Sequence, residues 1–159
     1  RFVRRRRRIG KLVTMTDSFF STIDETRIVE AIRTAELRSR GEIRLHVTEK
    51  LVEDAVKEAT HLFERLGMTA TAERNSVLIF IAPKSQKFAV LGDSGITTRA
   101  GTAPLDEMAA VMSAAFREGR FTDGLVGAVE RAGDILAAHF PPRPTGVDQD
   151  ELPNAISRG

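Results

Sequence analysis

The sequence contains no cysteine, tryptophan or tyrosine. Without cysteine the chain cannot form disulfides, thiolate zinc sites or a cysteine nucleophile, so oxygen and imidazole groups remain as metal ligands. Without tryptophan and tyrosine it lacks the usual stacking side chains of a nucleic-acid groove. The longest apolar run, residues 77–82, is far shorter than the about 20 residues that a membrane-spanning helix needs. A chain of 159 residues with 42% apolar content is therefore expected to form one domain without a membrane span.

Positive charge is concentrated at the start of the chain. Residues 1–14 hold seven cations and no acid, while the remainder carries 17 cations against 22 acids, a formal charge of −5. We interpret residues 1–18 as a basic, disordered arm. Contact of its arginines with nucleic acid or anionic lipid is the less favoured alternative. No apolar stretch of signal-peptide length follows, and Met15 is the expected start of the protein.

The periodicity of apolar residues predicts the order α-β-α-β-β-α-α. Helix one is expected to begin with a capping box formed by Thr22 and Glu25. The strands are "EIRLHV", "SVLIFIA" and "KFAVLG", and the segment "GITTRAGTAP" at 95–104 is expected to be a loop. The remaining helices are predicted over 52–66, from residue 104 to Gly119, and from about residue 122 to residue 140.

The connections between these elements predict the topology of the sheet. A helical crossover makes the first two strands parallel, and a short link makes the third strand antiparallel to the second. The expected fold is α/β, a mixed sheet of three to four strands with helices on both faces. The domain is expected to span residues 19–140, and residues 141–159 form a polar tail, docked or disordered.

Polar residues should gather at one rim of this sheet, because strands one and two begin where the reversed third strand ends. The residues are Glu42, Arg74, Asn75, Asp93 and Ser94. Oxygen donors of this kind suit Ca²⁺ or Mg²⁺. The structural alternative is that Glu42 pairs with Arg74, Asn75 caps a turn and Asp93 forms an Asx-turn.

The tail and the glycines could complete this rim. Three acidic residues of the tail, Asp148, Asp150 and Glu151, would extend the ligand shell if the tail folds back. Gly92 and Gly95 would let the backbone approach an ion or an anionic ligand.

The tetrapeptide Gly92-Asp93-Ser94-Gly95 also has the spelling of two serine-hydrolase motifs. Chymotrypsin-like proteases are all-β, and the lipases with a Gly-Asp-Ser-Leu motif carry it near the start of a longer parallel fold. A triad further needs a histidine within hydrogen-bond reach of the serine. The three histidines, His46, His61 and His139, are instead interpreted as surface or helix-end residues. Serine hydrolysis is therefore not the predicted activity.

Several segments together resemble the TPM domain family. They are "GEIRLHV" at 41–47, "LFERLGMTATAERNSVLIFIAP" at 62–83, "FAVLGDSGI" at 88–96, "MSAAFREGRFTDGL" at 112–125, "HFP" at 139–141 and "DELPN" at 150–154. This family includes the thylakoid-lumen acid phosphatase and photosystem repair protein, a nematode acetylcholine-receptor accessory protein and many bacterial proteins. Two positions depart from its pattern: Ser76 stands where a glycine is usual, and Leu105 where an aromatic residue often begins a helix.

The resemblance implies an α/β/α sandwich with a Rossmann-like sheet, Ca²⁺ or Mg²⁺ binding in some members, and phosphatase activity in the thylakoid branch. The matching polar positions are Glu42, Arg74, Asn75, Asp93 and Ser94. As a phosphatase the protein would use Asp93 and Arg74 on a phosphate-containing substrate. The alternative is a non-catalytic interaction module that docks a protein partner. Because the signal peptide and membrane anchor of many relatives are missing, the chain resembles a soluble cytoplasmic form.

Overall fold

The structure is a computed structural model that describes residues 2–5, for which only the backbone is considered, together with residues 19–142 and 156–159. These residues form the helices α1 (Glu25–Leu37), α2 (Ala55–Arg65), α3 (Ser94–Ala100), α4 (Ala103–Arg117) and α5 (Phe121–His139). They also form the strands β1 (Phe2–Arg5), β2 (Glu42–Val47), β3 (Ser76–Ala82), β4 (Lys87–Gly92) and β5 (Ser157–Arg158).

The strands form one open, mixed sheet in the order β1-β4-β3-β2-β5. Strand β2 is parallel to β3, and β4 is antiparallel to β3, as the connections predict. The sheet is wider than expected because a short strand joins it at each edge. Strand β1 pairs antiparallel with β4, and β5 pairs parallel with β2.

Helices cover both faces of the sheet. Every residue of β3 is buried, and its side chains alternate between two hydrophobic clusters. Val77, Ile79 and Ile81 pack in the cluster that contains α1, α4 and α5, while Leu78 and Phe80 pack in the cluster that contains α2. The predicted α/β sandwich is confirmed. Because α2 covers the second face, His46 on β2 is buried there and is not the surface residue expected from the sequence.

Two helix boundaries differ from the expectation. Helix α1 is capped by Asp24, whose side chain accepts a hydrogen bond from the Arg27 amide, whereas Thr22 lies in a preceding 3₁₀ turn. Helix α3 occupies most of the segment expected to be a loop. Glycine and threonine have low helix propensity, but Asp93 caps this helix and Ile96 is completely buried in the core. Capping and burial together override the propensity of the segment.

Parts of the arm and the tail belong to the sheet. Residues 2–5 form β1 where a disordered arm is expected, and residues 157–158 of the tail dock as β5. Residues 6–18 and 143–155 lie outside the described residues. In the described part of the chain, no helix combines the length and the apolar character that crossing a bilayer requires.

Candidate functional site

Three backbone segments meet at the predicted rim of the sheet. Glu42 lies opposite Ser76 in the parallel register of β2 and β3. Ser76 is also joined to the end of β4, because its carbonyl oxygen accepts a hydrogen bond of 2.9 Å from the Asp93 backbone amide. The Gly95 amide donates to the Arg74 carbonyl at 2.9 Å. The start of β2, the start of β3 and the end of β4 are thus joined by backbone hydrogen bonds.

Asp93 is the carboxylate at the centre of this rim. Its side chain is 6% exposed. One carboxylate oxygen, Oδ1, accepts from the Ser94 amide at 2.8 Å and from Arg74 Nη2 at 2.9 Å, while Oδ2 accepts from Arg74 Nε at 2.7 Å. Asp93 therefore caps α3 and holds Arg74 through two parallel hydrogen bonds.

Arg74 pairs with Asp93. The alternative to a metal site that was considered in the sequence analysis had paired Arg74 with Glu42. The Arg74 side chain is 48% exposed. The hydrogen bonds that Arg74 donates to Asp93, followed by the charge of that carboxylate, raise the pKa of Arg74. The backbone at Arg74 has a φ of 52°, in the left-handed region that is uncommon for residues other than glycine. This residue lies in the turn directly before β3.

Gly95 packs directly on that turn. A Cβ atom at this position would lie 2.6 Å from the Arg74 carbonyl oxygen and closer still to that of Glu73. Real Cβ atoms do not approach backbone oxygens so closely, so only glycine fits here. The close approach predicted for Gly95 is therefore used for packing between α3 and the turn before β3.

Glu42 and Asn75 are both buried at the rim. Asn75 Nδ2 donates to the Arg40 carbonyl at 3.1 Å, and the Asn75 amide donates to Thr71 Oγ1 at 3.3 Å. The side-chain oxygen of Asn75, Oδ1, is buried and has no hydrogen-bond partner among the described residues. A buried carbonyl oxygen without a partner is energetically costly, so this atom is a candidate for a ligand contact.

Ser94 lies exposed in the first turn of α3. Within residues 19–142 and 156–159, no hydrogen bond connects its hydroxyl to a histidine. His46 lies at the opposite end of β2 from Glu42, where its ring contacts Ser157. The arrangement thus lacks the base of a serine hydrolase in the part of the chain that the structure describes.

A second ion-pair cluster adjoins the rim, and the sequence analysis missed it. Glu73 binds Arg40 through both carboxylate oxygens and lies 3.7 Å from Arg99 Nη2. Both guanidinium groups lie near the ring of Phe140, that of Arg99 at 4.4 Å from the centroid. These residues come from four separate segments, so no local motif reveals them. The rim is consequently richer in arginine than the sequence predicted.

The donor set fits a hard cation only in part. Across the described ranges, no group of three or more histidine, aspartate or glutamate side chains is arranged to hold a metal ion. The tail candidates Asp148, Asp150 and Glu151 lie outside those ranges. What remains is the Asp93 carboxylate, the Asn75 amide oxygen and the buried Glu42. Oxygen donors with so few charges suit a weakly held Ca²⁺ or Mg²⁺.

Comparison with known proteins places the chain in a family. The sequence model of the TPM domain matches residues 13–135. The chain belongs to the TPM domain family. No curated protein sequence matches it significantly.

Two solved structures resemble this TPM domain. The NMR structure of the BA42 protein from the psychrophilic bacterium Bizionia argentinensis has 35% sequence identity and a TM-score of 0.81, and the match covers 92% of this chain and 100% of that one. The N-terminal domain of the cg2496 protein from Corynebacterium glutamicum has 14% identity and a TM-score of 0.58, covering 80% of this chain and 88% of that one. The second likeness concerns the fold alone.

Proposed function

We propose that the rim of this TPM domain binds a divalent cation, Ca²⁺ or Mg²⁺, with Asp93 as its charged ligand and Arg74 as a competitor. The observation that best supports this proposal is the pairing of the Asp93 carboxylate, which is 6% exposed, with the Arg74 guanidinium, which is 48% exposed. The Arg74 guanidinium is half in water and can be hydrated when it leaves, but the buried Asp93 carboxylate then needs another positive charge. A cation can supply that charge.

Two further oxygen-bearing side chains at the same rim support the proposal. Asn75 Oδ1 is a buried carbonyl oxygen without a hydrogen-bond donor among the described residues, and such an oxygen is a preferred ligand of Ca²⁺. Glu42 adds a buried carboxylate on the neighbouring strand. Because sites with few carboxylates and exposed neighbours are weak, we expect a dissociation constant on the order of 0.1–1 mM for Ca²⁺.

Phosphatase activity would be an extension of this site. Released from Asp93, the Arg74 guanidinium would be free to hold two phosphate oxygens. A bound cation would supply charge neutralisation for the phosphate. However, Asp93 itself is held by Arg74 and the Ser94 amide, and no histidine is hydrogen-bonded to it within the described ranges. Cation binding is therefore the function that the geometry supports best.

Amide NMR of the whole chain, titrated with Ca²⁺ and separately with Mg²⁺, tests the proposal. We expect saturable shifts confined to residue 42 and to residues 74–75 and 92–95. Asp93→Asn should abolish them, while Asp134→Asn, which removes an exposed carboxylate paired with Arg38, should leave them unchanged. Arg74→Gln should tighten binding a few-fold, because it removes the competitor without removing a ligand.

Two results would contradict the proposal. One is the absence of saturable shifts up to 20 mM cation in the folded wild-type chain, which would favour the non-catalytic interaction module. The other is an unchanged affinity in Arg74→Gln. The second variant keeps the test valid even if Asp93→Asn fails to fold.

A further inference from the structure

A second candidate site lies at the other end of β2 from Glu42. There the structure has a cavity of about 480 Å³ between β2, helix α2, the segment 48–52 and the terminal residues 157–159. This volume is within the range of small-molecule sites, about 300–1,000 Å³. The side chains that matter for its chemistry are His46, Lys50, Val52, Leu62, Arg65 and Phe80.

The floor of the cavity consists of buried aromatic and aliphatic side chains. The rings of His46 and Phe80, both buried, lie parallel, with an interplanar angle of 3° and a centroid separation of 5.9 Å. Val52 and Leu62 add buried aliphatic surface, and Leu51 is 80% exposed in the lining. A ligand with an apolar body would remove the exposed Leu51 side chain from water.

His46 is a neutral part of this floor. Its Nδ1 atom lies 2.9 Å from Ser157 Oγ, so the docked terminal segment positions the ring. Burial, and then the nearby charges of Arg44 and Arg65, lower the pKa of His46 to about 4. The ring is therefore uncharged near neutral pH.

The lining includes two exposed cations. Lys50 and Arg65 are both exposed, and neither forms an ion pair with a described residue. Arg158 differs, since it is paired with Glu25 and stacked on Phe20. Glu58 is the acidic side chain of the lining. The cavity thus combines buried apolar side chains with two cations that have no ion-pair partner among the described residues.

We infer that this cavity binds a small amphipathic anion, a carboxylate with a short aliphatic or aromatic body. The body covers the His46–Phe80 floor, and the carboxylate contacts Arg65 and Lys50. An arginine fork is the side chain best suited to hold a carboxylate. The inference does not depend on cation binding, because the cavity and Asp93 are at opposite ends of the sheet.

Titration of the whole chain with octanoate, followed by amide and methyl NMR, tests the inference. We expect saturable shifts at residues 46–52, at Leu62 and at 157–159. Octan-1-ol, which has the same body without the charge, should bind about tenfold more weakly, as charge-assisted hydrogen bonds are the stronger kind. Arg65→Gln should weaken octanoate binding by a similar factor. Arg33→Gln, an exposed arginine on α1, is the matched control and should change nothing.

Several outcomes would overturn the inference. They are no saturable shift with octanoate, shifts scattered over the surface, equal binding of octan-1-ol, or an unchanged affinity in Arg65→Gln. Because Arg65 is exposed on α2, its substitution should not impair folding. The amides of residues 92–95 are an internal reference: they should not move with octanoate, and their response to Ca²⁺ reports the rim separately.

Discussion

At the scale of single residues, Asp93 makes two kinds of contact that respond differently to a cation. The Ser94 amide belongs to the start of α3 and stays in place, whereas the Arg74 guanidinium is half exposed and can move away. An asparagine at position 93 keeps an oxygen for the Ser94 amide but loses the negative charge. Asp93→Asn is therefore a selective variant, which removes the proposed ligand charge and retains the helix cap.

His46 provides a prediction of pH dependence. Its pKa is lowered from 6.5 to about 4 by burial and by the neighbouring arginines. Below pH 6.5 the unfolded chain binds a proton at this histidine while the folded chain does not, so the unfolded state is favoured as the pH falls towards 4. Above pH 6.5 both states hold His46 uncharged, so this histidine does not lower the free energy of unfolding there. At pH 5 we expect the free energy of unfolding to be lower by about 2 kcal/mol than near neutral pH because of this histidine.

Urea unfolding at pH 7.5 and pH 5 measures this effect. The free energy of unfolding should fall between pH 7.5 and pH 5 by about 2 kcal/mol less in His46→Gln than in the wild type. His61→Gln, which changes an exposed histidine on α2, is the matched control and should behave as the wild type. Equal pH dependence in all three proteins would show that His46 is not buried as described.

At the scale of secondary-structure elements, α3 shows where sequence patterns mislead. The segment contains glycines and threonines that favour a loop. The helix forms nevertheless, because Asp93 caps it and Ile96 anchors it in the core. The sequence analysis interpreted Asp93 as a ligand or an Asx-turn residue, and the burial of one isoleucine has no local signal. A short helix that depends on one anchor cannot be recognised from periodicity.

The contact between α3 and the turn before β3 gives a second prediction. Gly95→Ala would place a methyl group against the carbonyl oxygens of Glu73 and Arg74, which belong to the backbone and cannot move independently. We expect a loss of about 1–3 kcal/mol in the free energy of unfolding, as overpacking usually costs. Chemical denaturation measures this loss.

Gly127→Ala on α5 is the matched control. A Cβ there would meet a single side-chain atom, Val111 Cγ1, at 2.9 Å, and alanine favours a helix over glycine by about 1 kcal/mol. We expect the two effects to offset each other to within about 1 kcal/mol. A Gly95→Ala protein as stable as the Gly127→Ala protein would contradict the packing described for the rim.

At the scale of the whole molecule, the sequence predicted the central three strands and their directions. Continuous apolar character identifies β3 as the buried strand, and the connection lengths determine that β2 is parallel and β4 antiparallel to it. Because these directions alone decide which strand ends share an edge, the rim of Glu42, Asn75 and Asp93 was accessible without coordinates. Topology is more predictable than side-chain contacts since it depends on whole elements.

The remaining features depend on contacts between residues far apart in the chain. Arg74 could have paired with Glu42 or with Asp93, and a left-handed turn at Arg74 accompanies the second pairing. The strands β1 and β5 are too short to carry a pattern of their own and form only by pairing with β4 and β2. The cavity at His46 exists because β5 docks beside it. None of these contacts has a local sequence signal.

The carboxyl ¹³C chemical shift of Asp93 during a Ca²⁺ titration tests most directly whether Asp93 binds the cation, because it reports on the proposed ligand carboxylate itself. We predict that this signal moves and saturates in the wild type, and that it does so at lower Ca²⁺ concentration in Arg74→Gln. The signal of Asp134, exposed on α5, should show no saturable change. A stationary Asp93 signal in the presence of millimolar Ca²⁺ would contradict the account.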